Sequence, residues 1–307
     1  MDKKMSAESE QRCMNIALAG LPNAGKSTLF NRIIGDKVSI VSPREQTTRD
    51  VIRGVMLEGS SQLIFVDTPG LFRPQKSRIL ERTIARNAWK GIENIDLLCL
   101  IIDSSRKIND ELTSVIKSVA TRQENMVFVL NKVDLVRKEK LLEMARELSD
   151  LYPKFMEIFM LSALSGENID KFKKYLLSLA PMRPWLFEAD DMTDAPAKFM
   201  ATEITREKLF LTLKQDLPYS LEVLSDSFEN LNNGDLKIHQ TIAVLKESQK
   251  AIVVGKSGLM LKNTGILARR DMEQLFGKKV HLFLFVKVKP DWIEEKFRSR
   301  YSGLSEN

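Results

Sequence analysis

The sequence predicts an α/β domain with a six-stranded, mostly parallel sheet and helices on both faces, followed by a smaller α+β domain. Three observations carry this. From residue 14 to about 180, short apolar runs alternate with amphipathic helical stretches, the pattern of a parallel sheet covered on both sides. A glycine-bounded loop, Gly20 to Thr28, stands between the first apolar run and the first helical pattern. Beyond residue 180 the alternation gives way to a helix–strand–strand–helix–helix–strand order. The 307 residues suit two domains, and the boundaries fall at 14–182 for the first, 183–197 for a linker and 198–292 for the second.

The strands of the first domain are read at Asn15–Ala19, Val51–Leu57, Leu63–Val66, Leu97–Ile102, Met126–Leu130 and Glu157–Leu161. Helical periodicity fills 26–34, 79–92, 108–121, 137–149 and 168–178. Ligands of such sheets sit beyond the carboxyl ends of the strands, and each motif of this domain falls at such an end.

Gly20-Leu21-Pro22-Asn23-Ala24-Gly25-Lys26-Ser27-Thr28 has the spacing G-x-x-x-x-G-K-[ST]. Its backbone N–H groups can close around a phosphate, and the following helix adds its positive N-terminal end. Lys26 is expected to reach the β- and γ-phosphates as a mobile cation, with the Ser27 hydroxyl on Mg²⁺. A Gly-rich turn alone is bland, but the strand–loop–helix setting makes this a P-loop.

Ser42 to Asp50 follows the P-loop helix. A polar Ser/Thr/Pro segment is often only a solvated loop, but its place makes Gln46, Thr47, Thr48 and Arg49 a first switch, with Thr48 completing the Mg²⁺ shell. Asp67-Thr68-Pro69-Gly70-Leu71 ends a strand: Asp67 is placed to hold Mg²⁺ through water, and the Gly70 N–H to sense a γ-phosphate. Asn131-Lys132-Val133-Asp134 follows another. The Asp134 carboxylate can accept from N1–H and the exocyclic amine of guanine, donors that adenine lacks. Such sites discriminate by roughly 10⁴-fold or more. Asn131 braces the loops, the Lys132 stem lies over the nucleotide, and Ser162-Ala163-Leu164 offers a backbone N–H to the guanine O6. The five elements stand in the order and spacing of a translation-factor-type GTPase domain. Leu71 occupies the place where Ras-like GTPases carry a water-orienting Gln, so slow intrinsic hydrolysis is expected. Asn23 with Thr47 and Thr48 resembles GTPases that use a K⁺ ion for the missing positive charge, although an Asn in such a loop also simply tolerates an unusual backbone angle.

Ala180 to Phe187 is punctuated by prolines, and Trp185 and Phe187 are expected to pin this linker to a domain surface. A helix Ala197–Gln215, strands Tyr219–Asp226 and Lys237–Leu245 about an Asn232–Asp235 turn, a helix through Phe276 and a strand Val280–Val288 complete the chain. Gly255-Lys256-Ser257-Gly258 is a G-x-x-G loop between helical segments. By itself this is more often a capping turn, but in this element order it suits a type II KH domain, whose loop lets a sugar-phosphate backbone approach closely. Lys262, Arg269 and Arg270 extend the basic path, or form a solvated helix face. Trp292 either anchors the C-terminal segment or stacks on a base.

Composition sets the class. Hydrophobic residues at 43% supply real cores, and the net charge of +6 is a modest pointer to a polyanion. No stretch is apolar for long enough to span a bilayer, and the polar arm Met1–Arg12 is no secretory signal. Two cysteines, Cys13 and Cys99, give no disulfide framework and fit a reducing cytoplasm.

Taken together, GLPNAGKST, SPREQTTRD, DTPGLF, NKVD and SAL, then RPWLF, EITREKLF, LPYS, SQKAIVVGKSG, LKNTG and VKVKPDW, closely resemble the Era family of bacterial GTPases with a C-terminal KH domain. The likeness runs from about Asn15 to Trp292. It implies GTP/GDP and Mg²⁺ as ligands, and a KH domain that binds the 3′ end of small-subunit ribosomal RNA when GTP is bound. It further implies a role in small-subunit assembly and rRNA maturation, a monomer, and a cytoplasmic protein associated peripherally with the inner membrane. Ser257 departs from the family, which usually has glycine there. Other readings are an RNA-binding scaffold that merely holds nucleotide, and a related GTPase of another RNA pathway.

Overall fold

The protein is described by a computed structural model covering residues 10–44, 46–74, 79–213 and 217–292. Most of the N-terminal arm, Glu45 and Gln215 lie outside the described residues. The described residues form two compact units, one of 10–41, 48–74 and 84–194, the other of 42–47, 79–83 and 195–292.

The first unit is built on β1 (Arg12–Ala19), β2 (Ile52–Glu58), β3 (Ser61–Asp67), β4 (Leu97–Asp103), β5 (Met126–Asn131) and β6 (Glu157–Met160). Their order in the sheet is β2-β3-β1-β4-β5-β6. Every pairing is parallel except β2 against β3, because the two-residue turn Gly59-Ser60 joins them as a hairpin. The central strands explain their own placement. Leu97–Ile102 and Met126–Leu130 are unbroken apolar runs, fully buried along their length, as strands covered on both faces must be. The helices are α1 (Lys26–Ile34), α2 (Ile79–Lys90), α3 (Asp110–Ala120), α4 (Lys138–Leu151) and α5 (Ile169–Leu179). One core joins Ala17, Leu98, Leu100 and Phe128 of the sheet to Ile116 and Leu148 of α3 and α4.

All six strands and five helices read from the sequence are present, most of their ends moved by one to three residues. The linker is ordered against this unit. The buried Gln62 side chain accepts from the N–H groups of Leu186 and Phe187 and donates to the Phe187 carbonyl. Trp185 Nε1 donates to Ser60 O at 3.0 Å, Arg183 bridges Asp96 with two hydrogen bonds of 3.0 Å, and Thr193 pairs with Gly54 of β2.

The second unit contains α6 (Ala197–Thr212), β7 (Leu221–Asn230), β8 (Leu236–Val244), α7 (Glu247–Val254), α8 (Leu259–Phe276) and β9 (Val280–Val288). The sheet order is β7-β8-β9, antiparallel then parallel. Helix α6 stops at Thr212, and a 3₁₀ turn over Leu217–Ser220 delays β7 to Leu221. Its apolar pattern marks Ile204, Leu209 and Phe210, yet Glu203, Thr205, Arg206 and Glu207 are also buried. These polar groups are partnered: Arg206 Nε donates to Glu203 at 2.8 Å, and Thr205 Oγ1 donates to Gln240 at 2.6 Å. Trp292 is 2% exposed; it anchors the chain and presents no face to a base. No helix among the described residues is long and apolar enough to cross a membrane.

Candidate functional site

The P-loop joins β1 to α1. Gly25 holds φ 94° as the residue before the helix, and a Cβ there would lie 2.2 Å from Asn131 Nδ2, so only glycine fits. The amide nitrogen Asn131 Nδ2 donates to Ala24 O at 2.8 Å, while Asn131 Oδ1 accepts from Ala163 N at 2.9 Å. One buried amide thus ties the P-loop, the Asn131–Asp134 loop and the Ser162–Leu164 loop together. Ser162 and Ala163 are buried and Leu164 is exposed. Arg32 of α1 adds a second tie, donating to the carbonyls of Ala163, at 3.2 Å, and Leu164.

Lys26 is buried, and its ammonium folds back onto Gly20 O at 3.2 Å and Leu21 O at 2.9 Å. Burial lowers its pKa to about 8, against the opposing pull of Asp67. Loop carbonyls thus hold the ammonium at the P-loop. Leu21, Pro22 and Asn23 complete the loop, with Asn23 in the left-handed region at φ 62°. The close approach of Gly70, where a Cβ would meet Pro22 at 2.7 Å, sets the second switch against the P-loop.

Ser27, Thr48 and Asp67 come together although 21 and 40 residues separate Ser27 from the other two. Ser27 Oγ lies 2.9 Å from Thr48 Oγ1 and donates to Asp67 Oδ2 at 2.6 Å. Ser39, which nothing in the sequence singled out, donates to the same oxygen at 2.7 Å. Asp67 is fully buried with Oδ1 unpaired; burial pushes its carboxyl up, while Ser27, Ser39 and Lys26 pull it down. An orphaned carboxylate oxygen beside two hydroxyls is a donor set for a small hard cation, and Mg²⁺ fits it. Thr68 Oγ1 is fastened to Leu18 O at 2.9 Å. Leu71 is buried in the core of the sheet, its N–H on Gly20 O at 2.9 Å.

The remaining first-switch residues divide. Arg49 is buried, its carbonyl accepting from Asn87 Nδ2 at 3.1 Å. Gln46, at φ 54°, and Thr47 cluster with the second unit. There Thr47 Oγ1 lies 2.5 Å from Ser42 Oγ, and the Thr47 carbonyl accepts from Arg206 at 2.6 Å.

Lys132 sits at φ 66°, and Asp134 is exposed on the 3₁₀ turn Val133–Leu135 that follows. The Lys132 ammonium donates to Asp103 Oδ2 at 2.6 Å. Asp103 ends β4 directly opposite Asn131. Burial acts to raise its carboxyl, but the bonds from Lys132 and Ser105 outweigh this and hold it below the ordinary range. The motif spacing does not reach back to Asp103; its strand-terminal position was the one available signal.

In the second unit, Gly255, Lys256, Ser257 and Gly258 connect α7 to α8. Lys256 and Ser257 are exposed, as are Lys262, Arg269 and Arg270 on α8, beside exposed Leu259 and Ile266. The second unit thus presents a basic helix edge next to exposed apolar side chains and a glycine-bounded loop.

Comparison with known proteins accords with both halves. Residues 15–132 match the family model for the 50S ribosome-binding GTPase, and residues 216–293 match that for the KH domain. The chain is 44% identical to GTPase Era of Bradyrhizobium sp. strain BTAi1 over 96% of its length and 95% of that protein. The chain belongs to the Era GTPase family. An Era crystallised with MgGDPNP and nucleotides 1506–1542 of 16S ribosomal RNA superposes with a TM-score of 0.90 at 33% identity, covering 96% of this chain and all of the other. A single-residue variant of Aquifex aeolicus Era bound to GDP·AlF4⁻ gives the same score, identity and coverage. Era-family membership makes this a GTPase whose two halves are a P-loop GTPase domain and a KH domain.

Proposed function

We propose that this chain is a GTP-driven switch that binds the 3′ end of small-subunit ribosomal RNA and assists small-subunit assembly and rRNA maturation. The observation that carries the reading is the full-length likeness to an Era holding both MgGDPNP and a 16S rRNA segment. Ser27 and Thr48 hold Mg²⁺ directly and Asp67 holds it through water. When bound, the ion offsets charge on the phosphate oxygens. Gly20 to Thr28 cradle the phosphates, and Lys26 reaches the β- and γ-phosphates. Asp134 reads guanine, with Asn131 bracing, Lys132 over the base and Ser162 to Leu164 closing the site. Lys256 meets a phosphate at the Gly255–Gly258 loop, and Lys262, Arg269 and Arg270 continue the path. We assign the domains to 14–182 and 198–292.

Hydrolysis is slow, because the buried Leu71 cannot orient a water; a K⁺ ion held near Asn23 would supply the missing charge. The protein acts as a monomer in the cytoplasm, peripherally associated with the inner membrane. The deciding experiment is GTP turnover in K⁺ against Na⁺ buffer, with and without an RNA copying the 16S 3′ end. Turnover that rises with K⁺ and again with RNA supports the switch. An RNA affinity that is the same in GTP and GDP favours a scaffold that merely holds nucleotide, a reading that the buried Leu71 keeps open.

A further inference from the structure

We propose that Asp103 is a positioning residue for guanine recognition, anchoring the Lys132 ammonium so that the lysine stem is laid out as one wall of the base site before nucleotide arrives. This rests on the reading of Asn131–Asp134 as the guanine site.

The arrangement is built from both strands. Asp103 and Asn131 end β4 and β5 in direct register, and Ser104 fastens the strand ends, its N–H and hydroxyl donating to Asn131 O at 3.0 and 2.6 Å. Asp103 Oδ1 accepts from Ser105 N at 3.0 Å and Ser105 Oγ at 2.6 Å. With Oδ1 committed, the carboxylate plane is fixed and Oδ2 is aimed at Lys132 Nζ, 2.6 Å away. Arg106 Nε stands 3.6 Å from the same oxygen and adds to the positive field without replacing the lysine. The Asp103 side chain is 9% exposed and that of Lys132 is 30% exposed, so this is not a solvated surface pair of negligible worth. Lysine is among the side chains with most rotamer freedom to lose. Its backbone here is already turned to φ 66°, so a fixed head leaves the methylene stem with one course. A base docking against a stem already ordered does not bear that ordering cost on binding.

The test uses the full-length protein and fluorescent GDP and GTP. Asp103→Asn is expected to weaken GDP binding about three- to tenfold, through faster release. It raises KM for GTP with kcat held, because Lys132 meets the base and not the phosphates. Asp103→Glu, which keeps the charge, recovers most of the loss and serves if the Asn variant fails to fold. Lys132→Met shows the same loss, and the double variant Asp103→Asn/Lys132→Met is no worse than Lys132→Met alone. Unchanged GDP affinity in Asp103→Asn, additive losses in the double variant, or a fall in kcat at constant KM each overturn the proposal. Asp134→Asn separates the two levels. A shift of preference toward xanthosine diphosphate upholds the guanine site, so a silent Asp103→Asn then removes only the role of Asp103. No shift overturns the proposal together with the reading beneath it.

Discussion

Ser257 sits at φ 51° and ψ 31° between two glycines that also hold positive φ. A residue with a Cβ costs about 1–2 kcal/mol in that region, and glycine gives back about 0.5–1 kcal/mol of it in chain entropy. Ser257→Gly should therefore stabilise the second unit by about 0.5–1 kcal/mol, read from urea denaturation; a loss of stability would mean the serine is held by something better than its backbone angle. Asp103 makes a second case, in pH. Its folded carboxyl lies below the ordinary value, so its stabilising contribution is complete above the unfolded value of about 3.9 and disappears as pH falls through the lower folded value. The stability gap between the wild type and Asp103→Asn, about 0.5–1 kcal/mol for a partly exposed pair, should be flat from about pH 7 to 5 and close as pH falls below the unfolded value. The two residues differ in legibility. Ser257 stood out in the sequence against its family's glycine. Asp103, Ser39 and Arg32 act through contacts with residues 28 to 132 positions away, and a local motif carries no trace of such partners.

At the scale of elements, periodicity located the strands and helices because core and surface alternate along them. What it could not locate is where polar groups do the packing. Gln62 lies in a strand that reads as an apolar run, yet it is wholly buried and takes up the backbone of Leu186 and Phe187. Trp185 was legible as an anchor of the linker, but the glutamine that receives the backbone of Leu186 and Phe187 was not, since these partners lie 124 and 125 residues away. Gln62→Leu would remove the glutamine's hydrogen bonds to three part-buried backbone groups. We expect a loss of about 0.5–1.5 kcal/mol and faster proteolysis within 183–194, with nucleotide affinity almost unaffected. Protease resistance equal to that of the wild type would show that Arg183–Asp96 and the Gly54–Thr193 pairing suffice to hold the segment. Helix α6 teaches the same lesson. Its apolar positions were readable, but Arg206 is among the largest fully buried side chains, satisfied by Glu203 and by carbonyl oxygen, and no hydropathy pattern marks a buried arginine.

For the whole molecule, the two halves were legible because each carries its own motifs and its own core, Leu98 and Phe128 in one, Leu209 and Ile242 in the other. Whether they act as one device is a question of free energy that neither core answers. If GTP in place of GDP raises the affinity for the 16S 3′ end by some factor, linkage requires RNA to raise the preference for GTP over GDP by that same factor. A nucleotide with equal affinity for both RNA-binding states shifts nothing, however tightly it binds. We therefore expect two independent measurements to agree. One is the ratio of RNA dissociation constants with GDP and with a non-hydrolysable GTP analogue. The other is the ratio of analogue to GDP affinity with and without RNA. Coupling energies of about 1–3 kcal/mol place the shared factor at roughly 5–150. A factor of one in both would make the chain a scaffold carrying a nucleotide. Hydrolysis would then have nothing to release, because the RNA would be held equally well before and after it.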